Sequence, residues 1–115
     1  MRASHRILLT TIVALAACSR APVVTVTNRS TNTLANVVVS GSGFTNRIEN
    51  IPAGAERRLT VRPPGESGLR ITFDAGNQHI DVDNLAYVER RGGYRVTVTV
   101  QPDLKVAASE RVQGY

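Results

Sequence analysis

From Val23 onward, apolar and polar residues alternate with period two, and turn-forming residues separate the runs. In "YRVTVTVQ", at 94–101, Tyr94, Val96, Val98 and Val100 fall on one face and Arg95, Thr97, Thr99 and Gln101 on the other. Successive strand side chains point to opposite faces, so this pattern reads as a half-buried strand and not as a helix. The same reading predicts strands at 23–28 with Val24 and Val26 inward, 35–41 with Val37 and Val39 inward, and 57–62 with Leu59 and Val61 inward. It predicts another at 69–74 with Leu69, Ile71 and Phe73 inward, and weaker ones at 44–48, 79–83 and 85–89. Between them "NRSTNT" at 28–33 and "GSG" at 41–43 read as loops, and "IPAGAE" at 51–56 and "RPPGES" at 62–67 as proline-glycine turns. "DAGN" at 74–77 and "RRGG" at 90–93 read as hairpin tips. Pro63 and Pro64 exclude helix and blunt a strand edge. The expected fold is therefore all-β, an antiparallel two-sheet sandwich of about seven to eight short strands spanning residues 23–106, with 107–115 either a last strand or a loose end.

The first residues follow other rules. Arg2 and Arg6 precede an uncharged run, "ILLTTIVALAA", from Ile7 to Ala17. Eleven residues are too few for a bilayer span, which takes about 20, but suit the apolar middle of an export signal. Residues 1–17 are therefore expected to form a signal helix that is removed, and they take no part in the fold. "ALA" at 14–16 would also suit an ordinary signal peptidase.

Directly after the apolar run stands "LAAC": Leu15, Ala16, Ala17 and Cys18, the chain's only cysteine. This resembles the lipobox of bacterial lipoproteins, and each of the four residues fits its position. The resemblance implies that the Cys18 sulfur takes a diacylglyceryl group, that the chain is cut before Cys18, and that the new amino group is acylated. Two or three acyl chains hold a protein to a bilayer durably, where one holds weakly. Residues 18–22 then form a short tether. Ser19 occupies the place where an aspartate favours inner-membrane retention in enterobacterial lipoproteins, so the resemblance implies the outer membrane, facing the periplasm.

Loss of residues 1–17 leaves 98 residues, enough for one small domain, and lowers the 14 basic residues to 12 against 9 acidic ones, a formal charge of +3. That balance permits contact with anionic lipid, lipopolysaccharide or cell-wall phosphate. An exported chain with 4% aromatic residues is a poor nucleic-acid binder, so no nucleic-acid partner is expected. With Cys18 acylated no disulfide forms, and the core alone must hold the domain.

A second resemblance lies in "VTNRSTNTLANVVVSG", "IENIPAGAERRLTV" and "GESGLRITF". These segments look like small immunoglobulin-like or fibronectin-like domains of exported bacterial proteins, with an Asn at the end of the first strand and an "I..IPAG" corner. The likeness covers about Val23 to Val106 and carries fold without chemistry. The nearest whole likeness is to small lipoproteins of proteobacteria.

Candidate chemistry is sparse. Asp74, Asn77, Asp81, Asp83 and Asn84 offer oxygen ligands of the kind calcium takes, without the glycine and glutamate of an EF-hand loop. His79 shares a predicted strand face with Asp81 and Asp83, but one histidine falls short of a catalytic metal site. A serine hydrolase needs a placed nucleophile and base, and no "GxSxG" elbow is present; "SGSGF" lacks the lysine of a phosphate loop. "NRS" at 28–30 fits a glycosylation sequon but reads as a loop. The doublets Arg57 with Arg58 and Arg90 with Arg91 would grip phosphate or carboxylate if they met at one end of the sandwich. Tyr94 is expected in the core, with Tyr87 and Tyr115 exposed. No enzyme activity and no cofactor or metal are expected. The expectation is a lipid-anchored envelope module that binds a protein or polymer or has a structural role. The alternatives are a calcium- or small-ligand-binding accessory domain and, last, a hydrolase inhibitor.

Overall fold

Alternating β-branched residues build the two sheets face to face. The structure, a computed structural model, describes residues 20–113. The signal segment, the lipobox residues Leu15, Ala16, Ala17 and Cys18, and Tyr115 lie outside the described residues. Ten strands follow in order: β1 (Val23–Asn28), β2 (Leu34–Gly41), β3 (Phe44–Ile51), β4 (Glu56–Thr60), β5 (Ser67–Gly68), β6 (Arg70–Ala75), β7 (Gln78–Val82), β8 (Tyr87–Val88), β9 (Tyr94–Val100) and β10 (Val106–Val112). One sheet runs β10-β9-β1-β4, the other β3-β2-β6-β7, and β5 pairs with β8 as a two-residue ribbon. The described residues contain no helix, and the expected all-β two-sheet sandwich is what forms.

Pairing is antiparallel throughout, with one exception. β1 lies parallel to β9, Val24 beside Val96 and Val26 beside Val98, and antiparallel to β4. The first strand thus lies between β9 and β4. Its inward valines meet Leu34, Val37, Val39, Ile71 and Phe73 from the opposite sheet, all of them buried. Burying a side chain of this size contributes about 1.5–3 kcal/mol, and together they substitute for the absent disulfide.

Four details depart from simple alternation. Leu34 is buried along with Val37 and Val39, although 34 has the opposite parity. The register shifts between Leu34 and Val37, where Asn36 takes φ 52° just before Val37, which lies opposite Glu49 at φ 78°; this bulge adds a residue and resets which face points inward. β3 runs to Ile51 and so exceeds the predicted 44–48. Residues 106–112 are the last strand of the first sheet and not a loose end, paired with β9 from Val106↔Val100 to Val112↔Tyr94. "RRGG" is not a hairpin tip, because β8 pairs with β5 and β9 with β1 and β10; the segment carries the chain from the ribbon to the first sheet.

The spacing of Asn28 and the proline-glycine corner has a mechanical explanation. Asn28 is fully buried, and its amide nitrogen donates to the carbonyls of Asn32 (2.7 Å), Ile51 (3.0 Å) and Pro52 (3.1 Å). Its side-chain oxygen accepts from the Ser30 N–H (2.9 Å) and hydroxyl (2.7 Å). The backbone closes the same clasp, with Asn28 N–H donating to Ala55 and Gly54 N–H donating to Asn28, each at 2.9 Å. Gly54 sits at φ 81° in a turn closed by Ala55 N–H to Pro52 carbonyl, a conformation that glycine adopts without penalty. "NRS" is therefore a structural knot, with its asparagine nitrogen fully engaged.

Candidate functional site

The β6–β7 hairpin turns through Gly76 and Asn77, with Gly76 at φ 62°, and sets Asp74 opposite His79. Asp74 Oδ1 stands 2.6 Å from His79 Nδ1, while Oδ2 accepts from the Asn36 amide at 3.0 Å. These hydrogen bonds, that from Asn36 foremost, hold the Asp74 carboxyl below the usual carboxylate range. Further along the same face Arg70 reaches diagonally across to Asp81, which pairs with Thr72, and grips it in a fork, Nε to Oδ1 at 2.8 Å and Nη2 to Oδ2 at 2.5 Å. That grip lowers Asp81 in the same way. Asp83 Oδ1 accepts the N–H of Asn84 at 2.8 Å, outside the strand. The oxygens of Asp74, Asn77, Asp81 and Asp83 are thus not gathered round one point. Among the described residues, no group of three His, Cys, Asp or Glu side chains is placed to hold a metal ion.

The two arginine doublets do not meet. Arg57 pairs with Val26 and Arg58 with Thr25, so period two sends their side chains to opposite faces of the sheet. Arg58 joins Arg95 and Arg111 beside Thr25, Thr60 and Thr97 in a cleft on the outer face of the first sheet. Arg57 donates through Nη1 to the Glu56 carbonyl at 3.1 Å.

Arg90 and Arg91 instead line a cavity of about 540 Å³ with Arg20, Ala21, Arg62, Pro63 and Pro64. Three separate segments build it. Pro63 and Pro64 stop β4 at Thr60 and form one wall; Gly43, at φ 79°, packs so closely there that a Cβ would stand 2.6 Å from Pro64 Cγ. The Arg20 carbonyl accepts from Gly93 N–H at 3.1 Å, and the Pro22 carbonyl from Val61 N–H at 3.0 Å. These bonds pin the chain to the sandwich before β1 begins, so the expected tether of residues 18–22 is docked from Arg20 onward. The neighbouring acid Glu89 is occupied elsewhere, accepting from the Tyr87 hydroxyl at 2.8 Å and the Tyr94 hydroxyl at 3.4 Å. Tyr87 is exposed and Tyr94 is in the core, as expected.

Arg20, Arg62, Arg95 and Arg111 were not among the residues that the sequence pattern singles out as candidates. Arg95 and Arg111 are single outward positions on paired strands, and Arg20 and Arg62 each end a segment. Only the sheet order brings them beside one another.

Neither a protein-family model nor a curated protein matches the chain. Among solved structures, it is similar to the NMR structure of a protein from Eubacterium rectale, with a TM-score of 0.56 and 10% identity over 84% of this chain and 91% of that one. At that identity the likeness concerns the fold alone.

Proposed function

We propose that this chain is a lipid-anchored module of the bacterial cell envelope, tied through acyl chains on Cys18 to the outer membrane and facing the periplasm. It carries no catalytic centre in this reading and binds an envelope protein or polymer, or has a structural role, close to the bilayer. The observation that carries the reading is the short distance between the lipobox and the folded domain. Cys18 precedes by two residues the Arg20 carbonyl that Gly93 already holds. Two residues span at most about 7 Å, so an acylated Cys18 would keep the sandwich on the membrane surface. Confinement to that plane raises the local concentration of nearby partners without any new contact.

The test is intact mass and membrane fractionation of wild type and Cys18→Ser. The reading expects an N-terminus at Cys18 carrying acyl mass, with both the mass and membrane retention lost in the variant. An unacylated soluble product cut near Ala16 would refute it.

A further inference from the structure

The cavity between the Arg62-Pro63-Pro64 corner and the Arg90-Arg91 crossover is lined by four arginines and no carboxylate. Among the described residues, the guanidinium groups of Arg62, Arg90 and Arg91 have no ion pair or side-chain hydrogen bond, whereas Arg70 is matched to Asp81. Clustered like charges in a concave surface raise the local positive potential and attract an anion. Guanidinium groups suit phosphate oxygens in particular, through paired N–H donors. The remaining lining, Ala21, Pro63 and Pro64, is apolar and offers nothing to a free anion, but it gives glycerol carbons a surface to rest on.

We infer that this cavity seats the phosphate of an anionic glycerophospholipid headgroup from the bilayer that holds the protein. The placement at that bilayer rests on the proposed acylation of Cys18, because the cavity is built around Arg20 and Ala21 and therefore faces the anchor. The headgroup would then orient the sandwich, arginine end down, and the acyl chains would supply retention.

The experiment uses full chain purified from membranes in neutral detergent micelles. Arginine Nε–Hε signals are followed by NMR as phosphatidylglycerol, phosphatidylcholine or inorganic phosphate is added. Phosphatidylglycerol is expected to shift the Arg62, Arg90 and Arg91 signals saturably, with phosphatidylcholine giving no such shift and the Arg58, Arg95 and Arg111 signals nearly still. At about fivefold per arginine near an anionic surface, R90S/R91S should weaken the apparent affinity about 25-fold. Equal shifts from inorganic phosphate at the same concentration would overturn the lipid assignment in favour of a free-anion site. Uniform movement of all arginines, or none, would overturn the cavity itself. Intact mass of the same sample separates the two claims. An unacylated chain whose cavity still responds refutes the anchor, and an acylated chain with unmoved arginines refutes the headgroup site.

Discussion

At the end of the sandwich where β1 finishes, Asn28 is buried and every polar atom of its side chain is engaged. At the end where β1 begins, Arg62, Arg90 and Arg91 line an open cavity and have no partner among the described residues. Both ends hold polar side chains at the rims of the same two sheets, yet their chemistry is opposite. A buried amide must be satisfied internally, because an unmade hydrogen bond there costs more than a made one contributes. Exposed guanidinium groups carry no such penalty, since water solvates them, and they remain available to a ligand. The first end therefore holds the fold together and the second presents charge to the surroundings.

Substitution tests that division most strongly at Asn28. Asn28→Ala leaves the carbonyls of Asn32, Ile51 and Pro52 without their donor and should cost about 3 kcal/mol. For a domain of this size the thermal midpoint should fall by more than about 10 °C. A fall of a degree or two would erase the distinction between the ends. Gly43→Ala comes next. A left-handed backbone costs a non-glycine residue about 1–2 kcal/mol, and the added methyl also presses on Pro64, so a melt should show that loss. The wall of the arginine cavity should move with it, readable as shifted Arg62 signals.

R62S/R90S/R91S should leave the midpoint nearly unchanged, within about 0.5 kcal/mol per site, because these side chains hold nothing in place. A large loss of stability would make the arginine end structural after all. The smallest effect is expected at the surface pair of Arg70 and Asp81. Arg70 holds the Asp81 carboxyl below its ordinary range, so the pair's contribution is complete above the unfolded-state value of about 3.9. It is lost as pH falls from there through the lower folded-state value. Asp81→Asn should lower stability slightly at neutral pH, where the pair's contribution is complete, and flatten the profile through the acid window, so that the difference from wild type closes as the pH falls. Both side chains are well exposed, so salt should shrink the difference further.

How much of this was legible in the sequence depends on where the information resides. β1, β6 and β9 could be read almost to the residue, because their inward positions are β-branched or aromatic and their outward ones polar. β10 is ambiguous in the sequence because only Val106 and Ala108 mark its inner face before Glu110, and that glutamate lies on the inner face and accepts the Tyr87 N–H at the sheet edge. Leu34 escaped because a bulge changes parity without a glycine to announce it. The parallel β1–β9 pairing was not legible, since pairing partners far apart in the chain leave no local mark.

The candidate site followed the same rule. Neighbouring arginines in sequence suggested a joint grip, yet Arg57 and Arg58 sit on one strand and must diverge, while Arg90 and Arg91 sit in a loop and share a cavity. Their companions Arg20 and Arg62 arrive from two other segments through topology alone. The acidic run from Asp74 to Asp83 had the right oxygens, but its hairpin register gives Asp74 and Asp81 partners within the sheet.

The central claim is that the arginine end faces the membrane and the Asn28 end faces away. Amide relaxation in nanodiscs containing a headgroup-attached spin label tests it directly. The account predicts strong broadening at Gly43 and Gly93, beside the arginine cavity, and little at Gly54 and Gly76 at the far end. Equal broadening at both ends, or broadening confined to Gly54 and Gly76, would contradict it.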